Sequence, residues 1–212
     1  MKQIKFSICT ASLFMLMSCV DLNLNPLSEG SSENWYSSQA EIEMSLNDFY
    51  RTDFFPIDDM KWGDDVTARN ETSAVNNGTL TSEDGTIAKR WENYYKGIAR
   101  ALRIINNMDR ARAMGVSERD IAQYEGEAYF YLGYAYGMLA FHWGDAILDK
   151  VGMSLDEAYT ASRSPKADVL AYSYECLDKA AERLPNSYPG IQRATKGAAY
   201  AFKARIAIYN ED

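Results

Sequence analysis

The sequence predicts an all-α fold in which helices pair as hairpins of tetratricopeptide type, interrupted by one long irregular loop. Apolar residues recur at helical spacing in several long segments, capping residues stand where these segments begin, and glycine or proline follows where they end. The longest helix pairs are rich in alanine and tyrosine, with small residues where helices would cross. No clean repeat of about 34 residues is present, so the likeness to helical repeats is architectural.

Composition places the chain among ordinary globular proteins. Its 212 residues are 47% hydrophobic and 25% charged, which favours a single helical domain. The net charge of −8 argues against a nucleic-acid partner, because phosphate binding needs a surplus of lysine and arginine. The 15 Tyr, 4 Trp and 8 Phe exceed what a helical core usually needs. They allow two interpretations: helix-packing residues with polar tips, or in part a stacking platform for sugars.

The first eighteen residues read as a bacterial lipoprotein signal peptide. Lys2 and Lys5 precede an apolar stretch, 6–17, that is too short to span a membrane. The stretch ends in Leu-Met-Ser-Cys, which resembles a lipobox, so Cys19 is predicted to be lipidated and to become the first residue. More than one acyl chain makes such an anchor stable. The alternative is a cleaved secretory signal with an incidental cysteine.

The residues after the lipidation site, 19–36, are polar and turn-rich and are predicted to tether the domain to the outer membrane. The helical domain is then predicted to occupy 37–212 and to be incomplete at its carboxyl end. Its first helix spans 38–50, where Ser38 is the expected cap and Ile42, Leu46 and Phe49 mark one apolar face with Tyr50. The third cysteine, Cys176, falls within a helical pattern and is predicted to be a small buried apolar residue.

Residues 51–84 form the predicted irregular loop, since they lack sustained periodicity and are rich in Asp, Asn, Gly and Thr. Connections this long are usually functional or disordered. Sugar binding needs an aromatic face together with charged or amide groups. One part of the loop offers that mixture, and its candidate glycan-binding residues are Trp62, Asp64, Arg69 and Asn70. The alternative is that the tryptophan only packs the loop down.

The next two helices carry the clearest periodicity. Apolar residues keep a period near 3.6 from residue 87 to residue 108, and Gly115 stands where a left-handed cap would end that helix. Ser117, with Asp120 three positions on, begins another helix that ends at Gly144. This second helix contains three glycines and tyrosines on several faces: Gly126, Gly133, Gly137, Tyr129, Tyr131, Tyr134 and Tyr136. We therefore expect neighbouring helices to approach it closely on most sides.

Two further helices complete the pattern. Ser164 followed by Pro165 predicts a cap and a proline in the first helical position, and Leu184 followed by Pro185 predicts the end of that helix. Thr195 is the predicted cap of the last helix.

Motifs for catalysis, metals and cofactors are absent from the sequence. His142 is the single histidine and lies beside Trp143 with no nucleophile motif nearby, so a Ser-His-Asp triad is not supported. No zinc-ligand spacing and no phosphate-binding glycine loop occur. The aspartates of 58–65 lack the order of a calcium loop, and a solvated acidic loop is the better interpretation. We predict no enzyme activity, no metal and no cofactor.

Three segments resemble proteins of the SusD/RagB family. They are WENYYKGIARALRIINNMD at 91–109, YEGEAYFYLGYAYGMLAFHWGDAIL at 124–148, and the run from SRSPKADVLAYSYECLDKAAERLP at 162–185 through RATKGAAYAFKARIAIYN at 193–210. The family pattern is matched by Trp91, Tyr95, Ile98, Glu127, Trp143, Gly144, Asp145 and residues 193–199. The chain departs from it at Ala146-Ile147, where an aliphatic residue and a proline are usual, and in stopping at Asp212, about half the family's length.

The resemblance implies a surface lipoprotein that captures oligosaccharides, or peptides in some branches, and covers a SusC-like TonB-dependent outer-membrane barrel that imports them. It also implies a non-catalytic binding protein on the cell surface whose loop between the first two long helices contributes to the ligand surface. One alternative is a helical-repeat protein-interaction lipoprotein without sugar affinity, and another is a non-functional truncated remnant. A third, a glycoside hydrolase, would need two carboxylates facing one cleft about 5 to 10 Å apart.

Overall fold

The all-α prediction is confirmed by the computed structural model, which describes residues 35–36, 38–56, 74–190 and 192–212. The described residues from Tyr36 to Asp212 belong to one unit by their contacts. Within the described ranges there are seven α-helices and one 3-10 helix: α1 Gln39–Asn47, the 3-10 helix Asp48–Tyr50, α2 Gly85–Asn106, α3 Met108–Ala113, α4 Glu118–Trp143, α5 Leu155–Thr160, α6 Lys166–Arg183 and α7 Lys196–Asn210. None of these helices is both long and apolar enough for a bilayer crossing.

Helix α4 is the centre of the fold. It contacts α1, α2, α3, α6 and α7, and every residue from 130 to 140 is buried. A helix that is apolar around its whole circumference is stable only when neighbours cover every face. The expectation of a helix contacted on most sides is therefore confirmed.

The glycines of α4 let two later helices approach its backbone. A β-carbon on Gly133 would lie 2.5 Å from Leu177 Cγ and 2.9 Å from the Ser173 carbonyl oxygen of α6. A β-carbon on Gly137 would lie 2.5 Å from Ile206 Cδ1 of α7. Ser173 Oγ also donates a buried hydrogen bond of 2.6 Å to the Gly133 carbonyl oxygen. Close packing thus offsets the cost of glycine in a helix interior, as the sequence predicted.

Three of the predicted caps are present. Ser38 accepts a hydrogen bond from the Glu41 amide in a complete capping box, and Ser117 and Thr195 accept from the amides of Asp120 and Ala198. Each bond satisfies an amide that the first turn of a helix leaves unpaired.

Three local details differ from the sequence prediction. The helix expected to run on to residue 108 breaks at Asn107, and α3 follows as a separate short helix. The Asn107 side-chain amide donates a 2.7 Å hydrogen bond to the Arg103 carbonyl oxygen at this break. Helix α6 begins one residue later than predicted, so that Pro165 is its cap and not its first residue. Ser164, the predicted cap, instead pairs with Ala146 in an isolated β-bridge. Helix α5 was not predicted, although Ser154 and Glu157 form a complete capping box.

Candidate functional site

The four predicted glycan-binding residues, Trp62, Asp64, Arg69 and Asn70, lie outside the described residues. The predicted lipidation site Cys19 and the acidic residues of 58–65 do so as well. The structure describes the chain on both sides of the central loop segment, up to Pro56 and again from Ala74. The two segments that flank residues 57–73, together with the helices that they contact, form the described part of the candidate site.

Aromatic rings fix the chain where it enters the loop. Phe54 meets Tyr131 edge-on at a centroid distance of 5.9 Å, and Phe55 stacks on Tyr134 at 4.3 Å. Phe55 also lies 6.3 Å from the ring of Phe202 on α7. Such ring pairs stabilise beyond the area they bury. The segment before residue 57 is therefore packed against α4 and α7.

A turn fixes the chain where it leaves the loop. The amides of Thr79 and Leu80 donate to the Ala74 carbonyl oxygen at 2.9 and 3.1 Å. Asp84 then caps α2, with its carboxylate accepting from the Thr86 amide at 2.8 Å. Both flanks of the loop are thus held by local structure.

A polar cluster joins three distant parts of the chain beside this aromatic packing. The Tyr50 hydroxyl donates to Glu127 Oε2 at 2.8 Å and accepts from the Ala194 amide at 2.9 Å. Arg193 Nη1 donates to the same carboxylate oxygen at 2.8 Å, and Arg193 Nη2 donates to the Asn47 side-chain oxygen. The carboxylate is thus held by two segments far from it in sequence.

Burial changes the proton affinity of the tyrosines in this cluster. Burial, followed by the charge of Glu127, raises the pKa of Tyr50 well above its usual value of 10.0. The same two causes raise the pKa of Tyr188, whose buried hydroxyl has no hydrogen-bond partner among the described residues. Both hydroxyls therefore stay protonated at neutral pH.

A second aromatic cluster lies where α2 meets the end of α4. Trp91 lies 4.9 Å from Tyr95 and 5.2 Å from Trp143, measured between ring centroids, and the Arg163 guanidinium carbon lies 5.0 Å from the centroid of Trp91. The Tyr95 hydroxyl donates a 2.9 Å hydrogen bond to the Ile147 carbonyl oxygen, and burial raises its pKa to about 12. These contacts tie α2 to the turn that follows α4.

The Gly-Asp pair in that turn has a structural role. Gly144 has a φ of 75°, a conformation that L side chains rarely adopt, and its amide closes α4 on the Ala140 carbonyl oxygen. The Asp145 carboxylate accepts from the Lys166 amide at 2.9 Å. This bond satisfies the first amide of α6, a cap that Pro165 itself does not provide.

Cys176 and His142, the described cysteine and histidine, are packed among neighbouring side chains. Cys176 is fully buried, as the sequence predicted, and burial raises the pKa of its thiol to about 12. His142 lies half-buried between the rings of Phe141 and Trp143. No group of three or more His, Cys, Asp or Glu side chains that could hold a metal occurs in the described ranges.

The fold defined here is an all-helical scaffold in which hairpins pack around one central helix. Residues 29–208 match the family model of SusD-like proteins described as "Starch-binding associating with outer membrane". The chain therefore belongs to the SusD-like family, which confirms the resemblance found in the sequence.

Relatives of known name and structure agree with this assignment. The chain is 23% identical to SusD-like protein P2 of Formosa agariphila over 94% of its own length and 42% of that protein. It superposes on a SusD-like protein of Bacteroides fragilis with a TM-score of 0.69 at 24% identity, covering 88% of this chain and 38% of that one. A second structure, determined with a xylogluco-oligosaccharide, has a TM-score of 0.63 at 18% identity, covering 78% of this chain and 34% of that one. The chain thus spans about two fifths of these relatives.

The residues that carried the family resemblance form the frame of the fold. Glu127 and Arg193 pair in the polar cluster, and Trp91, Tyr95 and Trp143 form the second aromatic cluster. Sequence reasoning missed the role of Tyr50, which it placed on an apolar helix face. Its partners lie 77 and 144 residues away, so no local pattern indicated them.

Proposed function

We propose that this chain is the glycan-binding, non-catalytic part of a surface lipoprotein that works with a SusC-like TonB-dependent transporter. The match of residues 29–208 to a family described as starch-binding and associated with the outer membrane carries the proposal. A solved structure of the same fold contains a xylogluco-oligosaccharide, which supports a glucan or a related plant glycan as ligand. The chain covers about two fifths of the length of its relatives.

The geometry of the described residues supports a binding role. The loop with the candidates Trp62, Asp64, Arg69 and Asn70 begins from rings packed on α4 and α7 and ends at a hydrogen-bonded turn. Sites whose supporting residues are locked by packing and hydrogen bonds bind with less loss of entropy. We therefore propose that the helical frame holds this loop as part of the ligand surface.

The anchoring part of the proposal rests on Cys19. A lipidated Cys19, directly after the signal peptide 1–18 and at the start of the tether 19–36, would hold the domain at the outer membrane. Incorporation of alkyne-labelled palmitate into the full chain, followed by mild extraction, tests this step. We expect Cys19→Ala to abolish the label and the matched variant Cys9→Ala to retain it. Equal labelling of the two variants would contradict lipidation at Cys19.

The transport partner is tested by co-purification. A tagged chain expressed with the TonB-dependent barrel encoded nearest to it should copurify with that barrel after extraction in mild detergent. An unrelated outer-membrane barrel in the same extract is the control. Retention of neither barrel would favour a lipoprotein without a transport function.

Ligand binding is tested by calorimetry on the full chain in detergent micelles, with maltoheptaose and a xyloglucan heptasaccharide as probes. We expect saturable binding of at least one probe. We also expect the sugar to be recovered intact, because a non-catalytic binding protein leaves its ligand unchanged. No binding of either probe would overturn the glucan-binding proposal and favour a helical-repeat protein-interaction lipoprotein or a remnant. Shortened sugar products would instead overturn the non-catalytic part.

A further inference from the structure

Tyr50 presents its ring to solvent while its hydroxyl is held in place. The residue is 42% exposed, yet the hydroxyl donates to Glu127 Oε2 at 2.8 Å and accepts from the Ala194 amide at 2.9 Å. The following residues Phe54 and Phe55 are packed on α4, so the backbone beside Tyr50 is anchored too. An exposed aromatic ring with two fixed hydrogen bonds is preorganised for stacking.

Polar groups suited to sugar hydroxyls lie next to this ring. The Arg193 guanidinium carbon is 5.8 Å from the Tyr50 ring centroid, and the guanidinium donates to both Glu127 and Asn47. The Asn47 side chain is exposed, and its amide nitrogen donates no hydrogen bond to any of the described residues. Two donors of this amide are therefore available to a ligand.

Glu127 has a supporting part in this arrangement. Its carboxylate is buried and already accepts hydrogen bonds from Tyr50, Arg193 and Gln123. Its carboxylate balances the charge of the guanidinium, so the two side chains form a neutral pair beside the tyrosine ring. Such a pair suits an uncharged sugar better than an acidic one.

We propose that Tyr50, Asn47 and Arg193 form a subsite for one pyranose ring of a neutral oligosaccharide. The apolar face of the sugar stacks on the exposed tyrosine ring, its hydroxyls accept hydrogen bonds from the asparagine amide, and Arg193 holds that amide in place. The subsite deepens the proposed function and rests on it. It consists of described residues and includes none of the four loop candidates.

The test compares the affinity of Tyr50→Leu with that of the matched variant Tyr209→Leu. Tyr209 is 41% exposed on α7, so the two changes remove equally accessible rings. Binding of maltoheptaose and the xyloglucan heptasaccharide is measured by calorimetry, with the Tm of each variant. We expect an affinity loss of about tenfold for Tyr50→Leu and no change for Tyr209→Leu.

A second variant keeps the test decisive if Tyr50→Leu folds poorly. Asn47→Ala removes an exposed amide and one hydrogen bond from Arg193, while the ion pair of Arg193 with Glu127 is kept. We expect an affinity loss of about threefold with a smaller change in Tm than in Tyr50→Leu. The subsite is overturned if a folded Tyr50→Leu binds the probes as tightly as the wild type. If Tyr50→Leu does not fold, unchanged affinity in Asn47→Ala overturns it. In both cases, binding by the wild-type chain leaves the proposed function standing. A wild-type chain that binds neither probe overturns both.

Discussion

Glu127 and Arg193 form a buried ion pair between the central helix and the segment that leads into the last helix. Glu127 Oε2 and Arg193 Nη1 are 2.8 Å apart, and their side chains are 1% and 12% exposed. A pair this buried is sensitive to the loss of either partner, because the remaining charge stays in a medium of low dielectric constant. The pair holds the start of α7 against α4, on which the rest of the frame packs.

Removing the guanidinium should therefore destabilise the protein strongly. We expect Arg193→Met to lower the free energy of unfolding by about 3 to 5 kcal/mol, since it leaves the buried Glu127 carboxylate without its cation. The matched change Arg205→Met removes an exposed guanidinium on α7 and should cost less than about 1 kcal/mol. Urea denaturation followed by circular dichroism measures both, and equal effects would contradict a special role for the buried pair.

Glycine-to-alanine changes should have opposite signs at two helical positions. At Gly133 a methyl group would press on Leu177 and on the Ser173 backbone, so we expect a loss of about 1 to 3 kcal/mol. At Gly197 the nearest atom would be 3.9 Å away, and the higher helix propensity of alanine should add up to about 1 kcal/mol. Thermal melts of the two variants distinguish them, and a stabilising Gly133→Ala would refute the close packing of α4 on α6.

The buried thiol gives a prediction about alkaline pH. Burial raises the pKa of Cys176 from 9.0 to about 12, so the folded protein keeps a proton that the unfolded chain loses. The stability that the protonated thiol contributes is fully present below about pH 9, and the free energy of unfolding should fall as pH rises from about 9 towards 12. Cys176→Ala should show a shallower fall over that window in urea titrations. Parallel curves for the variant and the wild type would contradict this assignment.

Alkylation tests the same burial at constant pH. At pH 8 we expect Cys176 to resist iodoacetamide in the folded chain and to react after unfolding in urea, because the thiolate is the reactive form. Mass spectrometry of the peptide containing residue 176 measures the modified fraction. Rapid modification of the folded protein would show that the thiol is accessible.

The loop candidates give a functional prediction. If Trp62 stacks on sugar, Trp62→Ala should weaken glycan binding by about tenfold and leave the Tm unchanged. Tyr159→Ala is the matched control, since that ring is 81% exposed on α5 and belongs to neither proposed binding surface. A lowered Tm with unchanged affinity would favour the alternative in which Trp62 packs the loop down.

The long helices could be predicted because their signals are local. The caps Ser38, Ser117 and Thr195 and the period of α2 and α4 all depend on neighbours within a few turns. Helix α5 was missed because six residues are too few to show a period, although Ser154 and Glu157 carry the spacing of a capping box. The break at Asn107 was missed because the apolar stripe continues across it.

The polar cluster could not be predicted for a different reason. Tyr50 reads as part of an apolar stripe, and only the tertiary fold brings its hydroxyl to Glu127 and to the Ala194 amide. Sequence motifs did single out Glu127 and Arg193, yet nothing local indicated that the two residues pair. The loop candidates remain predictions, since they lie outside the described residues.

The bonds of Tyr50 also set an order of events in folding. Its hydroxyl meets the backbone of Ala194, 144 residues later in the chain, whereas α2, α4 and α6 contact partners much closer in sequence. Contacts between nearby segments form first, because they close smaller loops at a lower cost in entropy. A chain that emerges amino terminus first can therefore pack α1 on α2 and α4 early, whereas the polar cluster around Tyr50 closes only after the start of α7 has been made.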